Sequence, residues 1–100
     1  MISNFEQVHN YYERLVFEAV VQRAAQYPGF TNDMLLDVAC VALNRMPARY
    51  VRHDVDLVFY LTEQERASIE LLLEAALDYA FAMVAEHTAK ARANAPRARG

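Results

Sequence analysis

From Thr62 to Thr88 the chain carries an unbroken helical period, with neither glycine nor proline to interrupt it. Ile69, Leu72, Leu73, Ala76, Ala80 and Met83 make one apolar face. Leu71, Ala75, Leu77, Phe81 and Val84 carry apolar cover far around the cylinder. Glu70, Glu74, Asp78 and Glu86 form a narrow ladder suited to water. A helix with so wide an apolar arc is buried on more than one side. Thr62 and Glu65 have the spacing of a capping box, which fixes the start of this helix. The chain has 100 residues, 55% of them hydrophobic. That length allows one domain and is rich in apolar surface for its size. A second copy of the chain is the expected cover for the remaining face, so a homodimer is expected.

Two further helices precede it. The first is expected from about Asn4 to Ala25, with Ser3 and Glu6 or Asn4 and Gln7 at capping-box spacing. Phe5, Val8, Tyr12, Leu15 and Ala19, widened by Val16 and Val20, form its apolar stripe. Tyr27-Pro28-Gly29-Phe30 breaks it. The second starts near Thr31, Asn32 or Asp33, with Leu35, Val38, Ala39, Ala42 and Met46 on one face. Pro47 ends it, because its ring disfavours the helical region at Met46. From Ala48 to Leu61 no helical period is visible. Val51, Val55, Leu57, Val58 and Phe59 suggest an irregular or extended crossing with one short strand, which could pair across a dimer. The fold class expected is therefore mainly α: a small three-to-four-helix domain with a short extended segment before the last long helix. Residues 1–89 form the single domain, and residues 90–100 a basic, disordered tail.

The net charge of −3 is unevenly spread: residues 90–100 hold Lys90, Arg92, Arg97 and Arg99 and no acid. Removing that +4 leaves −7 on the body, which argues against a large duplex-DNA footprint. The single Cys40 excludes a disulfide framework and a thiol metal cluster. No apolar run reaches the ~18–20 residues of a membrane span, and no signal-peptide pattern opens the sequence. A cytoplasmic location is the expectation.

The segment Ala42–Thr62, ALNRMPARYVRHDVDLVFYLT, concentrates the chemistry. Arg45, Arg49 and Arg52 lie beside Asp54 and Asp56, and beside Tyr50, Phe59 and Tyr60. Arginine forks match phosphate oxygens or a guanine edge, and carboxylates accept from base amino and imino groups. Aromatic rings stack on bases. The competing reading is structural, with the arginines spent on Asp37, Asp54 or Asp56 as an ion network. Asp54 and Asp56 would share a face in a strand but not in a helix. His53, Asp54 and Asp56 are a poor match to metal-ligand spacing, so no metal is expected. There is no nucleophile–base–orienter pattern, and the two glycines, Gly29 and Gly100, cannot form a phosphate loop. No enzymatic activity is expected.

NYYERLVFEAV, from Asn10 to Val20, and DVACVALNRMPARYVRHDVDLVFYLT, from Asp37 to Thr62, together resemble the late competence protein ComFB family. The order Leu-Asn-Arg-x-Pro-x-x-Tyr in the second run is the more specific part. The resemblance implies a small, mostly helical, cytosolic and dimeric protein. It implies a regulator of competence, motility or cell size rather than an enzyme. Some members are receptors for cyclic dinucleotides such as cyclic di-GMP and cyclic di-AMP. Some Gram-positive members carry a cysteine cluster suited to zinc, which Cys40 alone does not reproduce. The expected ligand is cyclic di-GMP or cyclic di-AMP, with no further cofactor, and a downstream protein is expected to respond. On the chemistry of this sequence the ligand-binding residues are Asn44, Arg45, Arg49, Tyr50, Arg52, Asp54 and Asp56. The alternative is an interaction adaptor without a nucleotide ligand, in which the arginines brace the fold.

Overall fold

The computed structural model describes residues 5–94. A 3-10 turn, Phe5–Gln7, leads into strand β1, His9–Asn10. Helix α1 spans Tyr12–Ala24 and α2 spans Asn32–Arg45. Strand β2, Tyr50–Val51, is followed by a short helix α3, Asp54–Tyr60, and by the long helix α4, Glu63–Asn94. The architecture is mainly α with four helices, as the sequence implies, and a two-stranded ribbon pairs β1 with β2.

Caps set the helix boundaries. The Thr31 hydroxyl accepts from the Met34 N–H at 3.2 Å and opens α2. At its other end Met46 is extended (φ −108°, ψ 131°), as the following proline requires. The Thr62 hydroxyl accepts from the Glu65 N–H at 3.0 Å and opens α4. Helix α4 continues through Asn94, so residues 90–94 of the expected disordered tail are helical; residues 95–100 lie outside the described residues.

The core lies where α1 and α2 meet α4. Tyr12, Val16 and Val20 come from α1, and Val38, Ala39, Ala42 and Met46 from α2 and its end. Ala76, Leu77, Ala80, Phe81 and Val84 come from α4. The four alanines let the helix axes approach closely, and Leu77 and Phe81 fill the space between them. Tyr27 and Phe30, in the break after α1, pack on Phe81 with centroids 4.3 and 5.4 Å away. Arg23, its side chain 15% exposed, reaches from α1 to Glu74 (2.6 Å) and Asp78 (2.5 Å). Two rungs of the acidic ladder thus brace α1 while facing solvent.

Two expectations are corrected. The first helix does not begin near Asn4: Phe5 and Val8 belong to a turn and a strand entrance, and both are exposed. Ser3 and Asn4, the expected caps, lie outside the described residues. Asn10 takes the role of starter, its side-chain oxygen accepting from the Tyr12 N–H at 3.2 Å. The second correction is α3, where only an extended or irregular crossing was expected. Asp54 and Asp56 in its first turn favour a helix start. The Arg66 guanidinium donates to the Val58 carbonyl at 3.0 Å and so satisfies one of its last acceptors. The expected short strand is present, but it pairs within the chain, with β1.

The described fold is thin, with extents of 58 × 40 × 20 Å. Its shortest dimension holds about two helix layers at ~10–12 Å each. The radius of gyration, 17.1 Å, exceeds the ~13 Å expected of a compact 100-residue domain. Leu36, Val55 and Phe59 stay exposed, and on α4 Leu71 and Met83 are exposed too, so its own chain leaves part of the α4 apolar arc uncovered. No helix among the described residues is long and apolar enough to cross a membrane.

Candidate functional site

The antiparallel ribbon positions the arginine segment. His9 stands opposite Val51, and Asn10 opposite Tyr50. The Tyr11 N–H donates to the Arg49 carbonyl at 2.7 Å, and the Asn10 side-chain oxygen accepts from the Arg49 N–H at 3.0 Å. Both polar groups of the Arg49 main chain are therefore held at the start of α1, while its half-exposed side chain is left to the neighbouring cavities. Asn10 serves two donors with one oxygen, Tyr12 and Arg49, and so ties the helix start to the ribbon. Its residue type was the available signal, since asparagine is a favoured helix starter and a poor helix-interior residue.

Arg49, Tyr50, Val51, Arg52, His53, Asp56, Leu57 and Tyr60 line an open cavity of about 450 Å³. Helix α3 supplies its far wall. Tyr50 and Tyr60 are 70% and 77% exposed, so neither ring is spent on the core. The Arg52 Nε–H donates to His53 Nε2 at 3.2 Å, which requires that nitrogen to be unprotonated. The Asp56 carboxylate has no hydrogen-bond or ion-pair partner among the described residues.

Of the seven residues singled out from sequence, Arg49, Tyr50, Arg52 and Asp56 meet at this cavity. The other three do not line it. The Asn44 amide donates to the Cys40 carbonyl within α2, at 3.0 Å. The Arg45 guanidinium lies 4.0 Å from the Tyr79 ring centroid, a cation–π contact joining the end of α2 to α4. Asp54 accepts from His9 Nε2 at 2.6 Å. Residues two apart on a helix point to different sides, so α3 turns Asp54 to the ribbon and Asp56 to the cavity. None of the three arginines pairs with Asp37, Asp54 or Asp56. The ion network considered from sequence is not formed. Tyr60 and His53, weighed from sequence but left out of the seven, also line this cavity, and Glu65, not considered for the site from sequence, lies beside Arg49.

His9 fastens β1 to α3. Its Nε2 faces Asp54, and its Nδ1 lies 3.1 Å from the Gln7 carbonyl oxygen. Both partners only accept, so the doubly protonated ring suits the site. The Asp54 hydrogen bond, then the Gln7 carbonyl, raise the His9 pKa above its ordinary 6.5. A raised histidine pKa contributes stability that is fully present below the unfolded value and fades as pH rises through the folded one. His9→Gln is accordingly expected to lower the melting temperature most below about pH 6.5 and progressively less above it. Melting curves of both proteins from roughly pH 5 to 9 test this. A difference that grows with pH would contradict the charged clasp.

A model of the family described as late competence development protein ComFB matches residues 9–88. The chain belongs to the ComFB family. No curated protein and no solved structure matches it. The ComFB match begins at β1 and ends within α4, so it takes in the ribbon, α3 and every residue lining the cavity. Among the described residues of this ComFB-family chain, no three His, Cys, Asp or Glu side chains gather as metal ligands.

Proposed function

We propose that this ComFB-family protein is a non-enzymatic receptor for a cyclic dinucleotide, cyclic di-GMP first and cyclic di-AMP second. It acts as a homodimer and passes the second-messenger level to a protein partner in the cytoplasm. The observation that carries this reading is that Arg49, Arg52, two exposed tyrosines and Asp56, which has no partner among the described residues, line one open cavity.

Each group has a task. The guanidinium groups of Arg49 and Arg52 grip phosphodiester oxygens, where planar forks outperform point charges. Tyr50 and Tyr60 offer faces on which purines stack. The Asp56 carboxylate accepts from guanine N1–H and N2–H, a pattern adenine does not offer. On this reading the cavity binds its ligand and breaks no bond. A twofold dimer presents each of these groups twice, which fits a ligand with two phosphates and two purines. Exposed Leu71 and the half-exposed Met83 on α4 are suited to the dimer contact. The output lies close at hand, since α3 carries Asp56 and Tyr60 to the cavity and exposes Val55 and Phe59.

Calorimetric titration with cyclic di-GMP, cyclic di-AMP and a linear dinucleotide is the test. Micromolar binding of cyclic di-GMP, about −8 kcal/mol, is expected, with weaker binding of cyclic di-AMP. No heat from any of the three at tens of micromolar removes the reading. It would leave the adaptor role, for which Val55 and Phe59 provide the surface.

A further inference from the structure

Arg49 stands on the wall between two cavities. Besides the one already described, it borders a second, of about 500 Å³, formed with Tyr12, Thr62, Gln64, Glu65 and Ser68 at the start of α4. Across that second cavity Arg49 Nη1 lies 3.9 Å from Glu65 Oε2. The other Glu65 oxygen, Oε1, accepts from the Thr62 hydroxyl at 3.3 Å. One carboxylate thus holds the cap of the longest helix with one oxygen and faces the cavity's arginine with the other.

We propose that Glu65 is an internal stand-in for the ligand's phosphate, an acid that occupies Arg49 while the cavity is empty and is displaced when an anion binds. The proposal rests on the receptor reading and names how that site is regulated. The pair sits at the limit of ion-pair distance, with its side chains 45% and 46% exposed. Such a pair is weak and screened, so a phosphodiester in bidentate contact outcompetes it. Asp56, the acid lining the first cavity, makes no ion pair with Arg49, and Asp54 is engaged by His9. Glu65 is therefore the competitor set against this arginine. Its displacement leaves the capping contact to Thr62 intact, so the α4 start does not fray when the arginine leaves.

The test compares cyclic di-GMP affinity in wild type, Glu65→Gln and Glu63→Gln by calorimetry. Glutamine at position 65 keeps a side-chain oxygen for the Thr62 hydroxyl and the backbone N–H that the hydroxyl caps, while losing the charge. Glu63 is an acid in the same first turn that does not pair with Arg49, and its variant makes the same change in net charge. Glu65→Gln is expected to tighten binding about two- to fivefold, the worth of an exposed ion pair, and Glu63→Gln to change it by less than about 1.5-fold. An unchanged or weaker Glu65→Gln overturns the proposal while leaving the receptor reading standing. Equal tightening by both variants also overturns it, since diffuse charge would then suffice. If both wild type and Glu65→Gln are silent, the receptor reading falls and this inference falls with it.

Discussion

Replacing Arg49 and Arg52 together by alanine is expected to weaken cyclic di-GMP binding by at least about 10²-fold. Hydrogen bonds to charged groups contribute about 1.5–3 kcal/mol each. Losing one to each guanidinium removes about 3–6 kcal/mol, or roughly 10²- to 10⁴-fold in affinity. The fold should barely register the change. Among the described residues Arg49 makes one long, half-exposed ion pair, and Arg52 makes one side-chain hydrogen bond, to the neighbouring histidine ring. The loss of such contacts shifts stability by less than about 1 kcal/mol. Calorimetry and a melting curve on the same sample separate the two effects. Binding retained within tenfold would move the phosphate site away from this cavity. Arg45→Ala is the internal control. Its guanidinium is stacked on Tyr79, so it should cost some stability and leave affinity unchanged.

Phe81→Ala is expected to have the largest effect on the fold. The ring is 1% exposed and is packed by Tyr27, Phe30 and the Arg23 guanidinium. Truncating a buried phenylalanine typically costs about 3–5 kcal/mol, from lost transfer energy and the cavity left behind. A domain of this size has about 5–15 kcal/mol in total, so the variant should sit near its unfolding transition. Here the loss is compounded, because Arg23 rests over the same ring while holding Glu74 and Asp78. Urea unfolding followed by circular dichroism gives the difference directly. A loss below about 1 kcal/mol would mean that Tyr27 and Phe30 close the gap themselves. Phe81→Leu, which keeps most of the volume, should cost much less.

The apolar faces of the helices were legible because their causes are local. Val16 and Val20, and Val38 and Ala42, are one helical turn apart, and each pair is buried as the period demands. Phe5 and Val8 continued the same period upstream, yet they lie outside α1 and are exposed. Periodicity could not show that Asn10 would interrupt the helix, since its oxygen is held by Arg49, 39 residues away. The wide arc of α4 was read with its centre displaced. Leu77, Phe81 and Val84 are the buried side, while Met83 is 39% exposed. Which sector of such an arc turns inward depends on the helices it meets.

Helix α3 shows the same limit within the candidate site. Val55, Val58 and Phe59 argue for an extended chain when weighed as local propensities. The Asp54–His9 clasp, spanning 45 residues, and the Arg66 cap on Val58 favour a helix instead. Once that segment is helical, the two aspartates part, and one of them leaves the cavity.

The sequence alone determined the break at Pro28-Gly29, the stop at Pro47 and the starts at Thr31 and Thr62. Each depends on sterics or a hydrogen bond within about four residues. It also determined which segment carries the arginines and tyrosines. Only the tertiary structure decided that Arg49 and Arg52 face one cavity while Arg45 is stacked on Tyr79, and that Asp54 is bound while Asp56 has no partner among the described residues. Those outcomes depend on where His9, Asn10, Glu65 and Tyr79 come to rest, and partners distant along the chain are brought close only by packing.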